Sequence, residues 1–209
     1  MSATHDDSEP TADYDVPFVW QSSHGHMVEL LVEHVPPGVV VDVGCGYAPH
    51  AEQLADAGFE LIGLDLDQAA VDHLRARGFT SAVGDLGDPS ALVSTIDRIT
   101  AGREVRALLA MDVLEHLVAP HETLAALVEW MTDRDVDVLG ISLPNVSHHD
   151  VAAKLLAGRW DLTPTGLLDH THLRWFTDRS VDVMTRSVGV VETARNDVTS
   201  EKSDQYWPA

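Results

Sequence analysis

The sequence predicts an α/β fold around a mostly parallel, doubly wound sheet, and three observations carry that prediction. Residues Val39 to Gly46 read Val-Val-Val-Asp-Val-Gly-Cys-Gly, a continuous apolar strand that runs into a glycine turn. Such a run suits a parallel strand covered on both faces, and Gly44 and Gly46 let the backbone approach a ligand with no Cβ in the way. Short apolar runs then alternate with amphipathic segments as far as Ser142. That is the pattern of βα units with helices on both faces and right-handed crossovers. Gly58 and Gly78 close two of the segments as helix-ending residues do.

Each element follows from a local pattern. Met27, Leu30, Leu31 and Val35 recur at helical spacing within 20–35, and Pro36-Pro37-Gly38 stops that helix before the first strand. Helices are expected over 48–57, 68–77, 89–99 and 120–131, and strands over 60–64, 80–83, 105–111 and 136–142. After Pro144 the pattern loosens: 145–177 mixes His, Asp, Trp and Gly around one short helical stretch, 150–157. Ligands of open α/β sheets bind beyond the carboxyl ends of the strands, so this insertion is placed to cover a pocket and build an acceptor site. A helix over 178–187 with Thr177 as N-cap and a sixth strand over 188–194 complete the expected domain, 19–197. The flanks, 1–18 and 198–209, read as a disordered acidic tail and a polar tail. A seventh, antiparallel strand is not found, which points either to a sequence that stops short of a C-terminal extension or to an incomplete sheet with an edge that needs cover.

The strand ends carry the ligand-binding signals. The run Leu61 to Leu64 ends at Asp65, about twenty residues past the glycine turn, where an acidic side chain accepts from both hydroxyls of a ribose. Ser81-Ala82-Val83 ends in Gly84-Asp85-Leu86. Asp85 is suited to accept from an adenine amine, and Leu86 to cover a ring face. The fourth strand runs into Asp112-Val113-Leu114-Glu115-His116-Leu117. A dinucleotide fingerprint lacks these last two elements, and its third glycine falls near Pro49, where none exists. The balance moves to S-adenosylmethionine.

Taken in order, Asp42-Val43-Gly44-Cys45-Gly46, Gly63-Leu64-Asp65, Gly84-Asp85-Leu86 and Asp112-Val113-Leu114-Glu115-His116 resemble the class I S-adenosylmethionine-dependent methyltransferases, whose fold is Rossmann-like. Downstream, Ser142 to His148, Leu155 to Trp160 and Gly166 to Thr177 are similar to one bacterial branch associated with glycan and natural-product genes. The methionine-biosynthesis W proteins are more distant cousins. The resemblance spans 20–197. It implies S-adenosylmethionine as cofactor and methyl transfer to a hydroxyl, or an amine, of a small polar or sugar-like acceptor. It assigns Asp42, Gly44, Cys45, Gly46, Asp65, Leu66, Asp85, Leu86, Met111, Asp112 and His116 to the cofactor, with the leading helix flanking its pocket. Asp42 either orders the glycine loop or meets the methionine amine; His116 is either a wall of the methionine pocket or a cap for the next helix.

Composition narrows the function classes. The 209 residues suffice for one α/β domain with a sizeable core. No run of about eighteen apolar residues offers a membrane span, and 1–15 lacks the apolar core of a signal peptide. Cys45 is the single cysteine, so no internal disulfide forms and a cytoplasmic setting fits. Its place in the turn suits a small side chain beside the cofactor rather than a nucleophile. Only 13 Lys and Arg stand against 34 carboxylates, a formal charge of −21. Nucleic-acid binding needs a basic surface, so that class is excluded, and anionic membranes are disfavoured. The charge reads as a solvated surface on a monomer or homodimer that takes a small-molecule acceptor.

Methyl transfer from a sulfonium is an in-line displacement whose leaving group departs neutral. The enzyme chiefly positions its reactants and, for a hydroxyl, supplies a base. His148, just past the fifth strand, is the first candidate base, the alternative being a strut for its own loop. In Asp169-His170-Thr171-His172-Leu173-Arg174, His172 and Arg174 share one face of an extended segment. There they reach the acceptor, His172 as a second candidate base, or else Arg174 ties the loop down as a clasp. Asp169, Arg174 and Trp160 are the candidate acceptor contacts, while Trp175 and Phe176 serve either the pocket or the core. His148, His149, Asp150, His170 and His172 could supply metal ligands, but no pair has helical i, i+4 spacing and the resemblance requires no metal. No metal is expected.

Two other functions compete. A cofactor-binding but non-catalytic regulatory partner of another enzyme would keep the motifs and close the acceptor pocket. A nicotinamide-dependent oxidoreductase needs only the glycine turn and Asp65, and leaves Gly84-Asp85 and Asp112 to His116 unexplained.

Overall fold

The computed structural model describes residues 17–198 and 202–206. Most of the expected acidic tail, and 199–201 and 207–209 of the polar tail, lie outside the described residues. The central strand β1 (Val39–Val43) is buried along its whole length. It lies in a five-stranded, all-parallel sheet with β2 (Glu60–Asp65), β3 (Thr80–Val83), β4 (Val105–Met111) and β5 (Val138–Ser142), in the order β3-β2-β1-β4-β5. With every strand running the same way, all five carboxyl ends share one rim. The order reverses at β1, which pairs with β2 on one side and β4 on the other, and such a switch point is where open α/β sheets bind ligands.

Alternate side chains of β1 enter two separate cores. Val39, Val41 and Val43 join Ile62, Leu64, Leu108 and Trp130 on the face covered by α4 (Pro89–Thr100) and α5 (Pro120–Thr132). Val40 joins Leu61, Leu109, Leu31, Leu54 and Leu74 on the face of α1 (Ser23–His34), α2 (Ala51–Asp56) and α3 (Gln68–Ala76). Cover on both faces is why the strand reads as a run of valines instead of an alternation. Phe18, expected in the disordered tail, packs against the second core and edge-on to Trp20 at 5.0 Å.

Local chemistry fixes the helix starts. Asp67 and Asp88 cap α3 and α4 by accepting from the N–H groups of Ala69 and Ala91. Thr177 caps the last helix, α7 (Asp178–Ser187), in a reciprocal capping box with Ser180. The second helix starts later than the pattern predicts, because Ala48 takes a left-handed φ of 45° and Pro49 follows it.

The expected sixth strand is not formed: among the described residues, 190–198 carries no strand and 191–198 is exposed. Arg195 pairs there with Asp178 at 2.6 Å and Asp197 at 2.7 Å. These ion pairs tie the segment to the start of α7 at the surface.

The insertion leaves the rim and returns to it. Asn145 bridges Phe176, and Val146 donates to the Phe176 carbonyl at 2.9 Å, so the two ends of 145–177 lie side by side. Helix α6 (His149–Leu156) lies inside it. Residues 202–206 dock against this excursion. Gln205 is fully buried, bound by Lys154 at 2.8 Å and donating to Thr163 Oγ1 at 3.1 Å. Ser203 donates through both N and Oγ to Asp150.

Candidate functional site

The glycine turn after β1 is built by two close approaches. Gly44 has φ +76°, and a Cβ there would meet Val113 Cγ2 at 2.3 Å, so only glycine lets the loops after β1 and β4 touch. Gly46 has φ +51°, and a Cβ on it would meet nothing within 4 Å: it faces open space. Its N–H donates to Asp65 Oδ2 at 2.7 Å, while Asp67 N–H donates to Oδ1 at 2.9 Å. Asp65 is only part-buried, and Leu66 beside it is 65% exposed. Asp85, at the end of β3, is exposed and accepts from Gly87 N–H at 2.7 Å. Leu86 instead turns into the first core with Leu64 and Leu92.

Beneath the turn lies a buried polar group of residues. Asp42 and His50 are each 1% exposed, with His50 Nε2 3.3 Å from Asp42 Oδ2 but misaligned for a hydrogen bond. The His24 ring lies 5.1 Å from that of His50, and burial, followed by the nearby His50, holds its pKa below the usual value. Asp112 takes a left-handed φ of 48° and is gripped by two hydroxyls, Ser23 Oγ at 2.9 Å and Ser142 Oγ at 2.6 Å. Backbone held in a sparsely populated region marks sites where structure serves function. Cys45 and Met111 point into the second core, and burial, then Asp42 and Asp65, push the Cys45 thiol well up.

A second group forms where the loop after β4 meets the insertion. The Glu115 carbonyl accepts from the N–H groups of Leu173 and Arg174, at 2.8 and 2.9 Å, and so clamps the two segments together. The Glu115 side chain is 2% exposed, and neither of its oxygens has a hydrogen-bond partner. Burial, then the Asp112 and Asp169 charges, push its carboxyl up to about 8. His172 Nε2 lies 3.9 Å from Glu115 Oε1, and the His116 and His172 rings meet edge to face at 4.8 Å. Burial holds both imidazoles below the usual pKa. Asp169 is buried and accepts from Thr171 N and Oγ1, each at 2.8 Å. Arg174 donates to the carbonyls of Leu173 and Val118, in keeping with a clasp.

The two candidate bases are therefore apart in role. His148 caps α6, its Nδ1 accepting from Asp150 N–H at 3.2 Å, and its ring stacks on His149 at 4.2 Å. Trp160 and Trp175 meet edge to face at 5.3 Å, each 39% exposed. Two sets of donor atoms lie close enough for a metal ion: Glu115, His116 and His172, and His148, His149 and Asp150. The structural roles of His24, His50, Ser23 and Glu115 were missed in sequence. For Glu115 no local signal existed, because Leu114, His116 and Leu117 around it read equally well as a ligand-facing loop. Two surface depressions, one between α5 and α7 and one near Trp130, hold none of the candidate residues.

Comparison with known proteins agrees with this architecture. A crystal structure of magnesium protoporphyrin IX methyltransferase from Synechocystis PCC 6803, with bound SAH, superposes with a TM-score of 0.57 at 18% identity, covering 81% of this chain and 72% of that one. A SAM-dependent methyltransferase from Archaeoglobus fulgidus gives 0.54 at 14% identity, covering 87% and 83%. At these identities the likeness establishes the shared fold, the Rossmann-like arrangement of class I methyltransferases. A 65-residue stretch is 25% identical to UPF0146 protein PH0209 of Pyrococcus horikoshii, covering 31% of this chain and 50% of that relative. The alignment thus spans half the length of the curated relative. Residues 25–191 match the family model described as "Methyltransferase domain", and the chain belongs to that family.

Proposed function

We propose that this chain transfers a methyl group from S-adenosylmethionine to a hydroxyl, or an amine, of a small polar or sugar-like acceptor. The observation that carries the reading is the pairing of Gly46 with Asp65: open space over the glycine, and beside it a part-exposed carboxylate. Asp65 accepts two backbone N–H groups and keeps lone pairs for a ribose. The exposed Leu66 offers cover for an adenine ring, and Asp85 an acceptor for its amine. Asp42 and His50 brace the turn from beneath, while Asp112 and His116 stand toward the methionine end. The cofactor supplies an electrophilic methyl carried on a sulfonium.

The residues of the rim orient the acceptor and take its proton. His172, whose pKa burial holds below the usual value, and His148 are the two candidate bases. Asp169, Arg174 and Trp160 are the proposed acceptor contacts, on the excursion that the sequence relates to glycan and natural-product enzymes. A formal charge of −21 supports a small acceptor over a nucleic acid. The setting proposed is the cytoplasm, with the chain a monomer or homodimer. Calorimetric titration of S-adenosylmethionine and S-adenosylhomocysteine into the full chain tests the reading. Saturable binding that is lost in Asp65→Ala is expected, and no binding by the unaltered chain overturns it.

A further inference from the structure

We propose that Glu115, His116 and His172 bind one divalent first-row transition-metal ion, with zinc as the type case. Each offers one donor atom, and the three atoms lie within 4.8 Å of one another. Two imidazoles and a carboxylate are the ligand chemistry that such ions take. Donors around a tetrahedral zinc ion stand about 3.4 Å apart, given bonds near 2.0–2.2 Å. Small side-chain adjustments close the difference, starting from the 3.9 Å already separating Glu115 Oε1 and His172 Nε2.

An independent observation points to the same ligand. Glu115 is 1% exposed, yet neither carboxylate oxygen has a hydrogen-bond donor. A buried carboxylate with no partner is costly, and natural proteins protonate it, pair it or give it a metal; the two imidazoles beside Glu115 favour the last. An outer shell is also in place. The Thr171 hydroxyl donates to Asp169 at 2.8 Å and lies 3.2 Å from His116 Nδ1, the kind of contact that orients a metal-binding imidazole. The half-exposed His116 leaves one approach from solvent.

The other candidate trio lacks this demand. Asp150 already accepts from Ser203 N and Oγ, and the His149 ring is 70% exposed. From the sequence no metal is expected, because the residues weighed for one, His148, His149, Asp150, His170 and His172, all lie in the insertion, have no His pair at i, i+4 spacing and belong to a resemblance that requires no metal. Glu115 and His116 come instead from the loop after β4. Occupancy would make His172 a ligand and leave His148 as the remaining candidate base.

The site shares His116 and His172 with the methyl-transfer reading but does not require it, and its test reads the metal directly. The full chain is stripped with a chelator, then titrated with zinc by calorimetry, with cobalt as a spectroscopic probe. The expected result is one ion per chain, affinity lowered at least about tenfold in Glu115→Gln and His172→Asn, and affinity unchanged in His149→Asn. A cobalt absorption band in the unaltered chain, absent from His172→Asn, keeps the test decisive if Glu115→Gln fails to fold. No zinc binding by the unaltered chain overturns the proposal. So does binding that survives both Glu115→Gln and His172→Asn, or binding that is lost in His149→Asn.

Discussion

The backbone N–H of Gly46 donates to the Asp65 carboxylate across 2.7 Å, so the turn after β1 and the acid after β2 hold each other in place. Asp65→Ala therefore removes a proposed cofactor contact and loosens the turn together. Affinity for S-adenosylhomocysteine should fall at least tenfold, about 1.4 kcal/mol, by calorimetry. Asp65→Asn, which still accepts from Gly46, should lose less.

Gly44 and Val113 form a second contact between loops. Gly44→Ala sets a Cβ 2.3 Å from Val113 Cγ2 at a φ of +76°. Crowding of this kind costs about 1–3 kcal/mol, read as a lower midpoint in urea unfolding. Val113→Ala in the same chain should restore part of the loss, because it removes the clash and leaves the backbone strain.

His148 can be sorted between strut and base by one conservative change. His148→Ala removes the N-cap of α6, at a cost of about 1 kcal/mol. His148→Asn restores a cap but has no basic nitrogen. Stability recovered with methyl transfer still absent would identify a base; recovery of both would identify a strut.

The Asp150 carboxyl is held below the usual carboxylate range, first by the Ser203 backbone N–H, then by its hydroxyl. A lowered folded value means that this stabilisation is complete above the unfolded carboxyl pKa and is lost as pH falls through the folded one. Acid should release 202–206 from the insertion, seen as faster C-terminal proteolysis toward pH 3. Asp150→Asn should show that faster cleavage already at neutral pH.

The parts of the fold that the sequence reveals are those set by neighbours along the chain. The valine run and the Thr177 start of α7 depend on residues within a turn or two, and both appear in the structure. Contacts made across the fold leave no such trace. His116 and Thr171 meet across 55 positions, and Lys154 and Gln205 across 51. The motif Asp112 to His116 marked a ligand-facing loop, yet nothing local shows that Glu115 turns inward toward His172. The strand expected over 188–194 failed for the opposite reason: its few apolar residues suit a strand, but Arg195 draws the chain into ion pairs with Asp178 and Asp197.

Cys45 gives the molecule an internal clock. It is the chain's single thiol, sealed under the glycine turn and held protonated by its surroundings. A disulfide reagent can modify it only when that region opens, so the labelling rate under native conditions counts opening events. A ligand seated on the turn should slow that rate in proportion to its occupancy. Binding can then be followed on the unaltered protein, with no acceptor, label or substitution.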